Sequence, residues 1–263
     1  MNNHIKQTLI IDAPGSVPLY VRGRDTSSID VAWKFLAESR LPVWGSVLLE
    51  SQTAGRGRMG RQWQSPAGHI YAALRLPAGP PFDGPGASLA LAFFLLQALN
   101  DFGWQFELKW SNDLIFEGGK VGGILIESRG RDLIAGVGFN LTAPPEGDWR
   151  LERDPGAPPP SALPYAEGPV KLWSALVKQV ILLYNEKFEG VTMREVASMA
   201  EKFLLWRGRK VRVERPASDP PAPETGLHGR ISGLGPDGQL LLDNLSGRFS
   251  LWSGTVLLDE AHS

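Results

Sequence analysis

The chain contains no cysteine among its 263 residues. Disulfides, thiolate metal sites and a cysteine nucleophile are therefore all excluded. It also lacks an excess of charge of either sign, because 27 Lys and Arg residues stand against 28 Asp and Glu residues. This balance gives no indication of a general affinity for nucleic acid or for an anionic membrane surface.

Long hydrophobic runs are missing as well. The most apolar stretch, residues 87–99, is shorter than a bilayer-spanning helix requires, and the first residues contain no signal-peptide core. We therefore expect a soluble cytoplasmic protein with no membrane partner. Hydrophobic residues make up 43% of the chain, which is typical of a folded globular protein. The length suggests one large domain, or a large domain with a small companion.

Two different patterns divide the chain near residue 205. Before it, helical and strand-like segments alternate; after it, five short strand-like runs are separated by turn signals, which predicts a small β-barrel. The expected fold is therefore α+β, with a larger domain at 1–205 and a β-domain at 206–263, and residues 143–169 are expected to be an exposed proline-rich loop. Helices are predicted at 26–39, 87–102, 170–188 and 193–203, and strands of the larger domain at 43–50, 70–76, 106–110, 113–116, 121–127 and 132–141.

Residues 51–64 read S-Q-T-A-G-R-G-R-M-G-R-Q-W-Q, and we call this stretch the arginine loop. It places Arg56, Arg58 and Arg61 among glycines and between two predicted strands, which argues against a disordered tail. Glycines let backbone N–H groups turn toward an anion, and arginines supply planar donors that match phosphate or carboxylate oxygens. Composition alone leaves three hypotheses open: a phosphate-ester site, a nucleic-acid contact and a solvated hairpin tip.

A second group of polar residues lies beside strands that otherwise read as core. It consists of K-W-S-N-D at 109–113 and of Lys120, and such groups are costly to bury without partners. A ligand site explains this group, and so does a Lys–Asp pair at a strand end with Lys120 as a solvated hairpin residue. Two weaker signals are G-V-G-F-N-L at 136–141 and D-T-S-S at 25–28, for which tight packing and helix capping are sufficient explanations.

Taken in order, these stretches resemble the motifs of the biotin protein ligases. That family carries a D-S-T-N-like helix start, a Q-x-A-G-R-G-R-x-G-R-x-W loop, K-W-P-N-D followed by a lysine, G-I-L-x-E, and a G-x-G-x-N strand. The corresponding residues here are 25–28, 52–63, 109–113 with Lys120, 123–127 and 136–140. The resemblance implies a mixed-sheet catalytic domain like that of the class II aminoacyl-tRNA synthetases, followed by an SH3-like β-barrel.

The resemblance also implies a two-step reaction. Biotin and Mg-ATP give biotinyl-5′-AMP and pyrophosphate, and a lysine of a biotin carboxyl carrier protein then attacks the mixed anhydride and releases AMP. Arg58, Lys120 and Asp113 are the implied catalytic residues. A lipoate-type protein ligase and a non-catalytic paralogue that binds biotin or its adenylate remain as alternatives, and the missing cysteine argues against the octanoyltransferase branch.

The family correspondence assigns the binding residues to parts of the substrates. The helix start and Gln52 surround the ureido ring, the arginine loop covers the ligand and its phosphates, and Lys120 meets the biotin carboxylate. Asn112 and Asp113 lie near ATP and Mg²⁺, and Asn140 lies near the adenylate. The full implied set is Thr26, Ser27, Ser28, Gln52, Gly55, Arg56, Gly57, Arg58, Arg61, Trp63, Lys109, Asn112, Lys120, Gly123 and Asn140.

Three positions depart from the family pattern: Ser28 replaces an asparagine, Ser111 replaces a proline, and Met59 stands where arginine is common. We expect weaker biotin binding from the first change and looser nucleotide positioning from the second. Because only 24 residues precede Asp25, we expect no DNA-binding domain and no nucleic-acid partner. A homodimer is one expected arrangement, since the family often dimerises through its central sheet.

Overall fold

The computed structural model describes residues 9–11, 17–144, 156–214 and 227–259. Part of the predicted proline-rich loop, residues 145–155, lies outside the described residues. The strands are β1 Leu9–Ile11, β2 Leu19–Asp25, β3 Ser46–Gln52, β4 Ile70–Leu76, β5 Phe106–Lys109, β6 Asp113–Phe116, β7 Gly119–Arg129, β8 Asp132–Phe139, β9 Lys210–Glu214, β10 Leu227–Leu234, β11 Leu240–Asn244, β12 Gly247–Leu251 and β13 Thr255–Leu258. The α-helices are α1 Ser28–Ala37, α2 Ala87–Asp101, α3 Pro169–Leu182 and α4 Met193–Ala200.

The described residues group into two compact units. The first unit contains residues 9–11, 17–79, 121–144 and 161–189, and the second contains residues 80–120, 156–160, 190–214 and 227–259. Each unit is thus assembled from separate stretches of the chain. The division of the chain into domains at residue 205 stays a prediction.

The first unit is built on a sheet with the strand order β1-β2-β3-β4-β8-β7. β2 pairs in parallel with β3, while the other neighbours are antiparallel, so the sheet is mixed. The sequence pattern does not predict β2, because Arg22, Gly23 and Arg24 interrupt its apolar residues. Its parallel partner also lies beyond α1 along the chain, so no hairpin turn marks the pairing.

Helices cover both faces of this sheet. α1 packs against β3, β4 and β8, and its apolar side shares a buried cluster with Val47 and Leu49 of β3. Alternate residues of a strand point to opposite faces, so Ser46 faces the other way. There Trp173 of α3 is fully buried, and its Nε1–H donates a hydrogen bond to Ser46 Oγ at 3.1 Å.

The second unit combines an apolar helix with a separate sheet. α2 is buried along nearly its whole length and packs against β5, β6 and α4, as expected for a helix that is hydrophobic all round. The five strands from β9 to β13 form an antiparallel sheet in the order β12-β11-β10-β9-β13. The prediction of an α+β fold with a β-structured C-terminal region is confirmed, and this sheet is consistent with the expected SH3-like domain. Within the parts of the chain that are described, the helices are too short or too polar to cross a membrane.

Two turns differ from the sequence prediction. β3 begins at Ser46 rather than at residue 43, because residues 42–45 form a turn closed by a hydrogen bond from Gly45 N–H to Pro42 O. β7 begins at Gly119 rather than at residue 121, because the turn between β6 and β7 consists only of Glu117 and Gly118, with φ of 50° and 74°. Two consecutive positive φ values are what a two-residue type I′ hairpin requires.

Candidate functional site

The amino end of α1 and the end of β3 meet through hydrogen bonds. Thr26 precedes Ser27, whose extended backbone makes it the helix N-cap and whose Oγ accepts from Asp30 N–H at 3.2 Å. The N–H of Ser28 donates to Gln52 Oε1 at 2.8 Å, and both serines are buried. The structure therefore brings the four residues that were predicted around the ureido ring to one place. Capping explains why Ser27 suits this position, because it satisfies an otherwise unpaired helix N–H.

Gln52 is held on its other side by a residue that the sequence reasoning did not select. Its Nε2 donates to Ser65 Oγ at 2.9 Å, and Ser65 Oγ donates to the carbonyl of Trp63 at 3.0 Å. A primary amide can donate two hydrogen bonds and accept two, so one N–H and one lone pair of Gln52 stay compatible with a ligand. Ser65 lies just beyond the arginine loop, and nothing in its sequence context indicates this contact.

The arginine loop folds back on itself as a short hairpin. Arg56 and Gln62 form an antiparallel bridge, and Gly57 N–H donates to Arg61 O at 2.7 Å. The tip is a single 3₁₀ turn in which Met59 has a φ of 58°, a left-handed conformation that is uncommon for residues with a side chain. Backbone hydrogen bonds thus shape the loop, and Met59 at its tip is half exposed.

Trp63, at the end of the hairpin, lies on the sheet. A Cβ atom on Gly138 of β8 would fall 2.8 Å from the Trp63 ring, so only glycine allows this contact. A Cβ on Gly55 would likewise fall 2.4 Å from the Trp63 carbonyl oxygen. Gly136 leaves room for Ile29 of α1 in the same way. Two glycines of the G-V-G-F-N-L strand therefore serve close packing, and Gly123 of β7 pairs with Gly138.

Arg56 is held between two carboxylates. Its Nη2 lies 2.9 Å from Asp30 Oδ1 and 2.9 Å from Glu127 Oε1. Hydrogen bonding to Asp30 raises the pKa of Arg56. Partial burial alone would raise the pKa of Asp30, but the hydrogen bond and the charge of Arg56 outweigh it and hold that pKa below its usual value. No role for either carboxylate was predicted, since Asp30 reads as an ordinary first-turn acid.

The end of β8 presents a buried asparagine. Asn140 Nδ2 donates to Ser161 O at 3.0 Å and its backbone N–H donates to Val121 O at 2.7 Å, whereas its Oδ1 is buried and has no hydrogen-bond partner among the described residues. Next to it, Leu141 N–H donates to His69 Nδ1 at 3.0 Å, and burial lowers the pKa of His69. A buried acceptor of this kind calls for a donor from outside the described chain.

The remaining predicted residues lie in the second unit. Lys120 Nζ is 2.8 Å from Asp113 Oδ1, so Lys120 is ion-paired and not merely a solvated hairpin residue, as the alternative interpretation had it. Lys109 ends β5; its side chain is buried, and Nζ lies 5.8 Å from the ring centre of Trp206. Asn112 occupies the turn that leads into β6. The four predicted polar groups of the second unit are therefore clustered around one strand pair.

A buried hydrogen bond of Trp110 holds residues 109–113 against the C-terminal sheet. Trp110 Nε1–H donates to the carbonyl of Gly238, in the turn between β10 and β11, at 2.8 Å, and the bond is buried. Gly238 also approaches Gly86 at the start of α2, where a Cβ would fall 2.6 Å from Asp237 O. The Trp110–Ser111 peptide bond is cis. The turn of the C-terminal sheet thus fixes the backbone that carries Asn112 and Asp113.

Comparisons with known proteins agree on one family. Residues 22–141 match the model of the biotin/lipoate A/B protein ligase family. The chain is 38% identical over 126 residues to a biotin--[acetyl-CoA-carboxylase] ligase of Paracoccus denitrificans, which covers 43% of this chain and 50% of that protein. It is 27% identical to the bifunctional ligase/repressor BirA of Bacillus subtilis, over 85% of this chain and 69% of that protein.

Solved structures extend the likeness to the fold. A biotin protein ligase from Aquifex aeolicus in complex with biotin and ATP superposes with a TM-score of 0.70 at 22% identity, covering 91% of this chain and 97% of that one. This establishes the predicted mixed-sheet fold. The Paracoccus match spans only half of that relative's length. Residues 22–141, which contain the predicted site motifs, are therefore similar to the domain of the biotin/lipoate A/B protein ligase family.

Proposed function

We propose that this protein is an ATP-dependent biotin protein ligase, which activates biotin as biotinyl-5′-AMP and transfers it to a lysine of a biotin carboxyl carrier protein. The observation that carries the proposal is the arrangement of the first unit. Gln52 hydrogen-bonds to the start of α1, and the arginine loop closes against Gly138 through Trp63. The Paracoccus relative, 38% identical over 126 residues, is named a biotin--[acetyl-CoA-carboxylase] ligase.

In the first step, an oxygen of the biotin carboxylate forms a bond to the α-phosphorus of ATP. The bond from that phosphorus to the bridging oxygen breaks, and pyrophosphate leaves. Two anions approach each other here, and at about 4 Å and an effective dielectric near 20 they repel by about 4 kcal/mol. We assign the neutralising charge to Arg58 and Lys120, with Arg61 on the triphosphate.

In the second step, the lysine amine of the carrier attacks the carbonyl carbon of the anhydride. The carbon–oxygen bond to phosphate breaks, AMP leaves, and the amine loses a proton. We propose that Lys120 exchanges Asp113 for the substrate carboxylate, starting from the 2.8 Å ion pair. Asp113, released from its partner, then accepts the proton from the incoming amine.

The biotin ring and the nucleotide are assigned to polar groups of the first unit. The ureido ring offers two N–H donors and one carbonyl acceptor, which the hydroxyls of Thr26 and Ser27 and the amide of Gln52 complement. Ser28 contributes a shorter side chain than the family's asparagine. The buried Oδ1 of Asn140 is a suitable acceptor for an amino group of the adenylate.

Magnesium is proposed to arrive with ATP. The described residues contain no group of three or more His, Cys, Asp or Glu side chains that would hold a metal ion by themselves. Mg²⁺ commonly uses one or two carboxylates together with substrate phosphates, and Asp113 with Asn112 fits that pattern. When bound, the ion neutralises phosphate charge.

Biotin is favoured over lipoate by two features of this chain. The complete R-G-R-M-G-R sequence is present, and a C-terminal antiparallel sheet follows the catalytic region. The carrier is proposed to be the biotin carboxyl carrier domain of a carboxylase, since a named relative is an acetyl-CoA-carboxylase ligase. A lipoate ligase is the competing function, and it predicts transfer of lipoate to the same kind of carrier lysine.

The test incubates the purified protein with ATP, magnesium, labelled biotin and an apo carrier domain. We expect label on the carrier and one pyrophosphate released for each transfer. A parallel reaction with lipoate should give at most a trace. Transfer of lipoate in place of biotin would identify the competing function, and binding of biotin without pyrophosphate release would identify a non-catalytic binding protein.

A further inference from the structure

The ion pairs of Arg56 join three elements of the first unit. The guanidinium belongs to the arginine loop, Asp30 stands in the first turn of α1, and Glu127 lies in β7. The two carboxylate contacts of Nη2 are both 2.9 Å, and Nε adds a longer contact of 3.3 Å to Glu127 Oε1. We call Arg56, Asp30 and Glu127 the Arg56 clasp.

A second hydrogen bond orients the Glu127 carboxylate independently of Arg56. Its second oxygen, Oε2, accepts a hydrogen bond from Trp33 Nε1 at 3.1 Å, and the guanidinium of Arg129 lies 4.4 Å from the Trp33 ring centre. A carboxylate that is already oriented loses less conformational entropy when it binds an arginine. The clasp therefore has a preorganised acceptor on the sheet and a second acceptor on the helix.

The hairpin hydrogen bonds of the arginine loop do not attach it to α1. They join Arg56 to Gln62 and Gly57 to Arg61 within the loop itself. Trp63 attaches the far end of the loop to β8. The beginning of the loop is joined to the start of α1, because Gln52 accepts from Ser28 N–H and Ala54 N–H donates to Thr26 O at 2.9 Å. Arg56 adds an attachment farther along the loop, to the first turn of α1.

We propose that Asp30 and Glu127 are positioning residues that hold the arginine loop closed over the start of α1 by binding Arg56. In this assignment the Arg56 side chain fastens the loop, and phosphate binding is left to Arg58. Two carboxylates surround one guanidinium, so the clasp carries a net negative charge and disfavours a phosphate at Arg56. Only one consequence of this proposal rests on the proposed ligase function: that a loosened loop releases the adenylate.

The clasp is partly exposed, and this makes it easy to open. The side chains of Arg56 and Asp30 are each 38% exposed, and that of Glu127 is 29% exposed. Exposed ion pairs are weak individually and are screened by salt. A loop held this way opens often enough to let substrates enter, and it should open more at high ionic strength.

Limited digestion with trypsin measures this opening without any assumption about activity, because Arg56, Arg58 and Arg61 are cleavage sites within the loop. The variants are Asp30→Asn and Glu127→Gln, singly and combined, which keep side-chain size while removing charge. We expect the double variant to be cut in the loop about tenfold faster than the wild type, with the fragments identified by mass. Equal rates would overturn the proposal.

Salt provides a readout that a general loss of stability would not reproduce. Raising ionic strength from about 0.05 to about 0.5 M shortens the screening length severalfold. Loop cleavage of the wild type should accelerate, while the double variant should already be fast and respond little. Asp243→Asn is the matched control, because it removes an exposed Arg248 ion pair of the second unit. A variant that cleaves faster at every site, with a lowered melting temperature, would contradict a specific role in the loop.

A second arm uses the reaction. If the ligase function holds, the double variant should form the adenylate at a rate within about threefold of the wild type. The amount of adenylate that it releases into solution should be about tenfold higher, because synthesis is kept and retention is lost. Another outcome is that the loop of the double variant is cleaved fast while no protein, the wild type included, forms the adenylate. That result would support the role of the clasp and contradict the ligase proposal. Fast cleavage with normal retention would overturn the role of the clasp in holding the adenylate.

Discussion

The predicted site residues of the two units make different kinds of contacts. Around Gln52 in the first unit, the contacts are packing and hydrogen bonds between uncharged groups: Ser27 caps α1, Gln52 bridges two elements, and Trp63 lies on a glycine. In the second unit, the central feature is the Lys120–Asp113 ion pair. The first arrangement should therefore be sensitive to changes of shape, and the second to changes of charge. Substitutions that alter only shape or only charge test this difference directly.

The largest effect is expected from Lys120→Ala. It removes the cation assigned to the biotin carboxylate and leaves Asp113 without its ion-pair partner. Loss of one preorganised charge at a reacting centre typically costs about 10²–10³-fold in rate, and adenylate formation should fall by at least that much. Biotin binding, measured by calorimetry, should change less than tenfold. Lys171→Ala, at an exposed lysine paired with Glu167, should leave the rate unchanged.

A shape change in the first unit should act on binding instead. In Gly138→Ala, the new methyl group would fall 2.8 Å from the Trp63 ring, so the loop must move. We expect weaker biotin binding by about tenfold and a free energy of unfolding lowered by about 1–3 kcal/mol, the usual cost of overpacking. Gly79→Ala is the control, since its Cβ would meet nothing within 4 Å. An unchanged affinity for biotin would show that Trp63 does not position the binding loop.

A smaller effect is expected from Trp110→Phe in the second unit. The ring stays apolar, but the buried Gly238 carbonyl loses its donor, which costs about 1–3 kcal/mol of stability. Because this bond holds the backbone before Asn112 and Asp113, the KM for ATP should rise severalfold while the KM for biotin stays constant. Trp252→Phe, at a half-exposed ring, is the matched control. A rise in both KM values would mean that the bond supports the fold rather than the nucleotide.

The smallest effect concerns pH. Burial lowers the pKa of His69, so the unfolded chain binds a proton at a higher pH than the folded protein does. The contribution of neutral His69 is therefore fully present above its ordinary value of 6.5 and is lost progressively as pH falls below it. The free energy of unfolding should decline on acidification, and His69→Gln should flatten this decline. His228→Gln, at an exposed ring, should leave it intact.

Sequence reasoning recovered the elements with strong periodicity or clear turn chemistry. β4 and β6 have the predicted bounds, because apolar residues and flanking turns mark them. β2 was missed because charges and a glycine break its pattern and its pairing is non-local.

Within the candidate site, the motifs located the residues but not their contacts. The Lys120–Asp113 pair was not predicted, because the alternative interpretation left Lys120 solvated at the hairpin. Arg56 is 26 residues from Asp30 and 71 residues from Glu127 along the chain, and no local sequence pattern predicts contacts between residues so far apart. The requirement for glycine at position 138 follows from the placement of Trp63, which only the folded chain reveals.

The proposed first step is the activation of biotin by adenylation. Its most direct test is the exchange of labelled pyrophosphate into ATP, which reverses the first step and requires no carrier protein. We predict exchange that depends on biotin, is not supported by lipoate, and is lost in Lys120→Ala while Lys171→Ala retains it. Exchange that proceeds equally without biotin, or that lipoate supports better than biotin, would contradict the account.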